Sequence, residues 1–226
     1  MSDEFKSMKS IEMAERKNKG NSKEIKEFIV NTLIMLAIAL VAGGVLGFVH
    51  EITKEPIAVM AAKEKQAANR KVFLNATDFS DSIIDKSADV SALKALYPGV
   101  DITDCIKAFD ENGELAGYVL EVTSHEGYGG DIVFSAGITT DGTLNGIFIT
   151  SISETAGLGM RAPEVLVPQF ANQTADVFEV VKGNGTTDSQ IDAISGATIT
   201  SKAVTNGVNA ALEYYRLYLE GGEGLE

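Results

Sequence analysis

Positions 28–49 form a run of 22 residues without a charged side chain, in which only Asn31 and Thr32 interrupt the early apolar pattern. As a helix this run is about 33 Å long, enough to cross a hydrocarbon core of roughly 30 Å. A buried core helix of that length would carry a polar stripe. A cleaved leader would have a shorter apolar stretch and a small-residue cleavage site, which Gly47-Phe48-Val49-His50-Glu51 does not offer. The pattern therefore predicts one retained transmembrane helix over 28–49. Within it Ala39, Gly43 and Gly47 recur every four residues, either as a ridge for close approach of another helix or through the ordinary tolerance of membrane helices for glycine.

After Pro56 the alanine-rich stretch 57–74, dotted with Lys63, Glu64, Lys65, Arg70 and Lys71, has the spacing of an amphipathic helix that leaves the membrane as a stalk. Shorter pieces follow, with a helix expected over 90–96 and ended by Pro98-Gly99. The period then changes to two. Strand-like runs at 105–109 and 115–123 flank Asp110-Glu111-Asn112-Gly113, and runs at 132–139 and 144–152 flank Thr140-Asp141-Gly142-Thr143. Asn-Gly and Asp-Gly between such runs predict two hairpins and hence an antiparallel sheet. A short helix at 163–170, a strand at 177–181 and a polar turn at 183–189 precede a last helix. Its apolar face is marked by Ala203, Val204, Val208, Ala210, Ala211 and Leu212, and it continues through a packing face of Tyr214, Tyr215, Tyr218 and Leu219. The fold class expected is α+β: one N-terminal transmembrane helix, then a twisted antiparallel sheet with flanking helices.

Composition narrows the chemistry. The net charge of −13 disfavours a phosphate backbone as partner, so nucleic acid is set aside. One cysteine, Cys105, excludes a disulfide within the chain and a thiolate cluster, and the strand pattern places it in a sheet core. With His50 and His125 the only histidines, paired-histidine zinc or haem sites have little support, and any redox centre here is expected to be organic. Charge is also unevenly spread. Seven basic residues crowd 1–27, read as a loosely ordered tail, which by the positive-inside rule stays in the cytoplasm while the rest is exported. From residue 50 onward 12 basic side chains face 26 acidic ones, a balance of −14.

The stretch Asp192-Ala193-Ile194-Ser195-Gly196-Ala197-Thr198 lies just ahead of the last helix, with Lys202 one turn further on. The first turn of a helix has unpaired N–H groups and a partial positive charge, so an anion there is stabilised by roughly 0.3–2 kcal/mol. Ser195 or Thr198 could equally be an ordinary N-cap. The whole pattern Asp-x-x-Ser-Gly-Ala-Thr, however, is expected by chance about once in a thousand chains of this length. Two glycine-rich stretches precede it, Gly127-Tyr128-Gly129-Gly130-Asp131 and Ser153-Glu154-Thr155-Ala156-Gly157-Leu158-Gly159. Alone they read as connecting loops. Functionally, absent side chains let backbone N–H groups reach the edge of a flat ring while Tyr128 or Leu158 covers its face.

With these three motifs in this order, the chain resembles, over about residues 25–220, the covalent-flavin subunits of two related bacterial membrane complexes. These are the G subunit of the Rnf electron-transport complex and the C subunit of the sodium-pumping NADH:quinone reductase. The resemblance implies FMN held through a phosphoester to Thr198, with Thr200 and Ser201 as neighbouring alternatives. It also implies a flavin lined by Tyr128, Gly129, Gly130, Glu154, Thr155, Gly157, Leu158, Gly159, Asp192, Ser195, Gly196, Ala197 and Lys202. The family often has a histidine shortly before the Glu-Thr step, where this chain has Ser151 and Ser153. Implied partners are the other subunits of an Rnf-type complex, a flavin transferase that builds the bond from FAD, and the lipid bilayer. The organisation expected is a cytoplasmic tail (1–27), a transmembrane helix (28–49), a helical stalk (50–100), an FMN-binding domain outside the cytoplasm (101–220) and a free tail (221–226), in a single-pass protein of the inner membrane. Its function would be electron transfer in a complex coupling ferredoxin and NAD chemistry to ion translocation. A membrane-tethered binding or sensory module, with Ser-Gly-Ala-Thr as a plain helix cap, is the rival of another class.

Overall fold

The computed structural model describes residues 2–84 and 90–220; the expected free tail at 221–226 lies outside them. The chain opens with α1, a 71-residue helix over Ser2–Val72. Segment 2–27, expected to be loosely ordered, is thus helical, and helix α1 does not break at Pro56. The reason is local: 2–27 has no proline and is rich in lysine and glutamate, which are good helix formers. A proline inside a helix costs about 3 kcal/mol through its lost hydrogen bond and the crowding of the preceding turn, and α1 runs on through it.

Two compact units divide the chain, Met1–Met60 and Ala61–Glu226. In the first, Phe28–Lys54 is apolar and long enough to cross a membrane, with mean hydropathy 2.5. Its large side chains, among them Phe28, Leu40 and Phe48, are exposed. A helix apolar on every side needs a non-aqueous surrounding, since each square ångström of apolar surface left in water forfeits about 25 cal/mol.

The second unit is built on a five-stranded antiparallel meander: β1 (Asp78–Phe79), β2 (Val100–Phe109), β3 (Leu115–Ser124), β4 (Ile132–Thr139) and β5 (Leu144–Ser151), in the order β1-β2-β3-β4-β5. Both predicted hairpins are present, β2–β3 and β4–β5, with Gly113 and Gly142 at positive φ in their turns. Asp110 Oδ1 accepts the N–H groups of Asn112 and Glu114, which closes the first turn.

Period-two alternation sends the strands' side chains to two faces. On one, Cys105, Leu120, Val122, Phe134 and Ile138 pack under Ala203, Val204, Val208 and Ala211 of α4 (Thr198–Tyr218). Tyr214, Tyr215 and Leu219 extend this core as expected. On the other face Ile106, Ala108 and Val119 meet Val72 and Phe73, where α1 ends. The stalk helix thus closes the back of the sheet with its last turn.

Short elements complete the unit: α2 (Ser91–Leu96), a 3₁₀ turn at Gly159–Arg161, α3 (Ala162–Val165), a second 3₁₀ turn at Val167–Phe170, and strands β6 (Glu179–Val181) and β7 (Gln190–Asp192). β6 and β7 pair in parallel, which the polar turn between them did not suggest. Gln169 fixes the end of this ribbon: its Oε1 accepts Asp192 N–H at 2.7 Å and its Nε2 donates to Asp192 O at 3.2 Å.

Candidate functional site

β7 delivers the chain to the start of α4 through a tight turn. Ile194 is buried there, and its N–H donates to Ser201 Oγ at 3.0 Å, while that hydroxyl donates to Ala197 O at 2.9 Å. The first bond of the helical ladder runs from Ser201 N to Ala197 O. The N–H groups of residues 198–200 therefore precede the ladder and point out of the helix start. The N-cap is Ala197, with no side-chain cap. Neither Ser195 nor Thr198 serves as the ordinary helix cap that the sequence alone allowed.

A cavity of about 560 Å³ opens against this helix start, lined by Tyr128, Glu154, Thr155, Leu158, Gly159, Gly196, Ala197, Thr198, Ile199 and Thr200. Glu154 links its sides: Oε1 accepts Gly129 N–H at 3.1 Å and Oε2 accepts the Thr200 hydroxyl at 3.1 Å. The walls close tightly at two glycines. A Cβ on Gly129 would lie 2.0 Å from the Ser153 carbonyl oxygen, and one on Gly159 would lie 2.6 Å from Thr200 Oγ1. Any larger residue would force these walls apart.

Of the residues expected around the cofactor, Tyr128, Glu154, Thr155, Leu158, Gly159, Gly196, Ala197 and Thr198 line this cavity, and Gly129, outside the lining, donates its N–H to Glu154. Gly130, Gly157, Ser195 and Lys202 are outside the lining, and all four are exposed. Asp192 is also outside it. Its Oδ1 accepts Gly185 N–H at 2.9 Å and so braces the preceding turn. Ile199 and Thr200 are lining residues that the motifs did not point to; a helix start facing a cavity exposes the whole first turn, not one residue of it.

The three hydroxyls of the first turn differ. Thr200 is buried and donates to Glu154, and Ser201 is buried and committed on both sides. Thr198 is half-buried and lines the cavity, and its hydroxyl makes no hydrogen bond among the described residues.

Charge at the flank comes from His125, where the glycine-rich loop begins. Its Nδ1 lies 2.8 Å from Asp131 Oδ1 and its Nε2 3.0 Å from Asp101 Oδ2, while Lys94 pairs with Asp101. Hydrogen bonds to Asp131 and Asp101 raise the His125 pKa, and those from Lys94 and His125 lower that of Asp101.

These features fit a phosphorylated flavin. An uncapped helix start and a free hydroxyl suit the phosphate, and Tyr128, Leu158 and Ile199 give a flat ring apolar cover. The volume is in the range of cofactor sites. The FMN-binding domain family matches residues 127–213. The G subunit of the Na(+)-translocating ferredoxin:NAD(+) oxidoreductase complex of Acetobacterium woodii is 33% identical over 186 residues, 81% of this chain and 89% of that protein. Its counterpart in the proton-translocating ferredoxin:NAD(+) oxidoreductase complex of Clostridium ljungdahlii is 32% identical over 182 residues, 80% of this chain and 88% of that one. The solved structure of Shewanella oneidensis NqrC aligns at TM-score 0.41 with 21% identity, covering 67% of this chain and 69% of that one. On the strength of such identity over nearly the full length of the Acetobacterium and Clostridium relatives, the chain belongs to the family of G subunits of ion-translocating ferredoxin:NAD(+) oxidoreductase complexes.

Proposed function

We propose that this protein is the membrane-anchored G subunit of an Rnf-type complex and carries FMN bound covalently through Thr198. The observation that carries the reading is the state of the Thr198 hydroxyl. Among the three hydroxyls of the first helical turn it alone lines the cavity without a hydrogen bond of its own. Thr200 and Ser201 would each have to surrender buried contacts, at roughly 1–3 kcal/mol for every polar group left unsatisfied. In this reading Thr198 is an attachment point, neither acid nor base. FMN when bound supplies one- and two-electron chemistry. The protein's part is to hold the phosphate at the helix start, cover the ring with Tyr128, Leu158 and Ile199, and keep the ring in place. A covalent link matters for a domain outside the cytoplasm, because a freely dissociating cofactor would be diluted away.

The helix over Phe28–Lys54 anchors the protein in the inner membrane, and the basic flank of 1–27 keeps the N-terminus cytoplasmic. The partners are the other subunits of the complex, the bilayer, and a flavin transferase that attaches FMN during maturation. The complex couples electron transfer between ferredoxin and NAD to ion movement. The Acetobacterium relative is named for sodium and the Clostridium relative for protons, yet this chain is 33% and 32% identical to them. The ion is therefore a property to seek in other subunits. The C subunit of the sodium-pumping quinone reductase shares the motif, but the G subunits match at about a third identity over four-fifths of the chain.

The test is co-expression with a flavin transferase, followed by a denaturing gel and an intact mass. Flavin fluorescence is expected to stay with the denatured chain and to vanish in Thr198→Ala. A colourless wild-type chain of bare polypeptide mass would instead favour the tethered binding module.

A further inference from the structure

We propose that Glu154 is a positioning residue that joins three walls of the flavin cavity and places a negative charge beside the ring, holding its reduction potential down; this rests on the flavin reading above. The side chain reaches two distant segments at once. Oε1 takes the Gly129 N–H, 25 residues away, and Oε2 takes the Thr200 hydroxyl, 46 residues away in the first turn of α4. With its own loop at 153–159, that makes three stretches of chain held by one carboxylate. Its seat is shaped for it: a Cβ on Gly159 would lie 2.7 Å from Glu154 Cβ and 2.9 Å from Oε2.

Both donors are neutral, and no Lys or Arg forms an ion pair with Glu154 among the described residues. The charge is thus compensated by dipoles alone, in a half-buried position that lines the cavity. Charges interact more strongly there than in open water, because less solvent screens them. Electrons entering a ring beside a fixed negative charge are disfavoured, so removing the charge raises the potential.

Two substitutions separate the brace from the charge. Glu154→Gln keeps nearly the same shape: its carbonyl oxygen can accept from Gly129, and its amide can donate to the Thr200 oxygen. Glu154→Ala removes both links. In the matured full-length protein, the flavin-loaded fraction of Glu154→Gln is expected to show a midpoint potential, from a dithionite titration followed by flavin absorbance, at more positive values than the loaded wild type. In the unloaded protein, Glu154→Ala is expected to exchange amide hydrogens faster at 127–131 and 201–204, with Glu154→Gln close to wild type. An unchanged potential in loaded Glu154→Gln overturns the electrostatic role, and wild-type exchange in Glu154→Ala overturns the brace. If the wild-type chain takes up no flavin, the flavin reading fails together with the electrostatic role, and the exchange measurement still decides the brace.

Discussion

The two faces of the central sheet are covered in different ways. The front face packs against α4, a helix of 21 residues, and its core runs from Cys105 and Leu120 through Phe134 to Tyr214. The back face is closed by the end of α1 and the stretch that follows it, with Val72, Phe73, Ile106, Ala108 and Val119 buried and Ala76 and Phe79 packed against them. Only the front element also starts at the cavity. Packing along α4 and the geometry of its first turn are therefore coupled, whereas the back face contributes stability and no residue to the cavity at the start of α4. Stability and cofactor placement should accordingly respond to different substitutions.

The largest separation is expected from Phe73→Ala. Phe73 is 4% exposed and its ring lies on the sheet where Gly117 and Gly137 leave room for it. Its truncation should cost about 3–5 kcal/mol, a large share of the roughly 5–15 kcal/mol that holds a domain together. Urea unfolding measures the loss. At a temperature where the variant stays folded, its flavin content should equal that of the wild type. Loss of flavin from the folded variant would break the distinction between the faces.

A smaller effect of the other kind is expected on the front. Gly207, on α4, is where the helix comes close to the sheet: a Cβ there would lie 2.8 Å from Phe134 Cζ and 3.2 Å from Val122 Cγ1. Phe134 is fully buried and has no room to swing aside. Overpacking of this kind costs about 1–3 kcal/mol, against a gain of about 1 kcal/mol in helix propensity from glycine to alanine. Gly207→Ala should thus lose about 1 kcal/mol net by urea unfolding. Because the displaced element carries Thr198, its flavin loading should fall as well. A stabilised variant with full loading would show that α4 can shift without disturbing its first turn.

The same division governs what the chain announces in advance. Period-two alternation with Asn112-Gly113 and Asp141-Gly142 at the turns locates both hairpins, since these cues act within a few residues. The apolar periodicity of α4 and the phosphate-suited chemistry ahead of it are also local. The two-residue β1 and the parallel pair β6–β7 are too short for any period to register, and tertiary hydrogen bonds such as those of Gln169 decide them. The cavity was legible as three motifs. That Glu154 ties Gly129 to Thr200 was not, because no local pattern encodes a contact over 25 and 46 residues. Likewise no local pattern announces that Asp192 braces the turn at Gly185.

The smallest expected effect is local and depends on pH. His125 holds the glycine-rich loop at its base by bridging Asp131 and Asp101, with Lys94 on the far side of Asp101. Its pKa is raised in the folded protein, first by the hydrogen bond to Asp131 and then by that to Asp101. A histidine with a raised folded pKa contributes stability that is fully present below the unfolded value of about 6.5 and is lost as pH rises through the folded value. With the ring nearly half exposed, solvent screens the contribution and keeps it within this loop. Amide exchange at 126–131, corrected for the intrinsic pH dependence, should therefore show protection that declines above about pH 6.5 in the wild type. In His125→Asn protection should be low and flat across the same range, while amides around Phe73 on the back face stay unchanged in both. If loop protection persists undiminished to alkaline pH, the loop is held by its glycine geometry and Glu154 alone, and the front face owes nothing to the histidine.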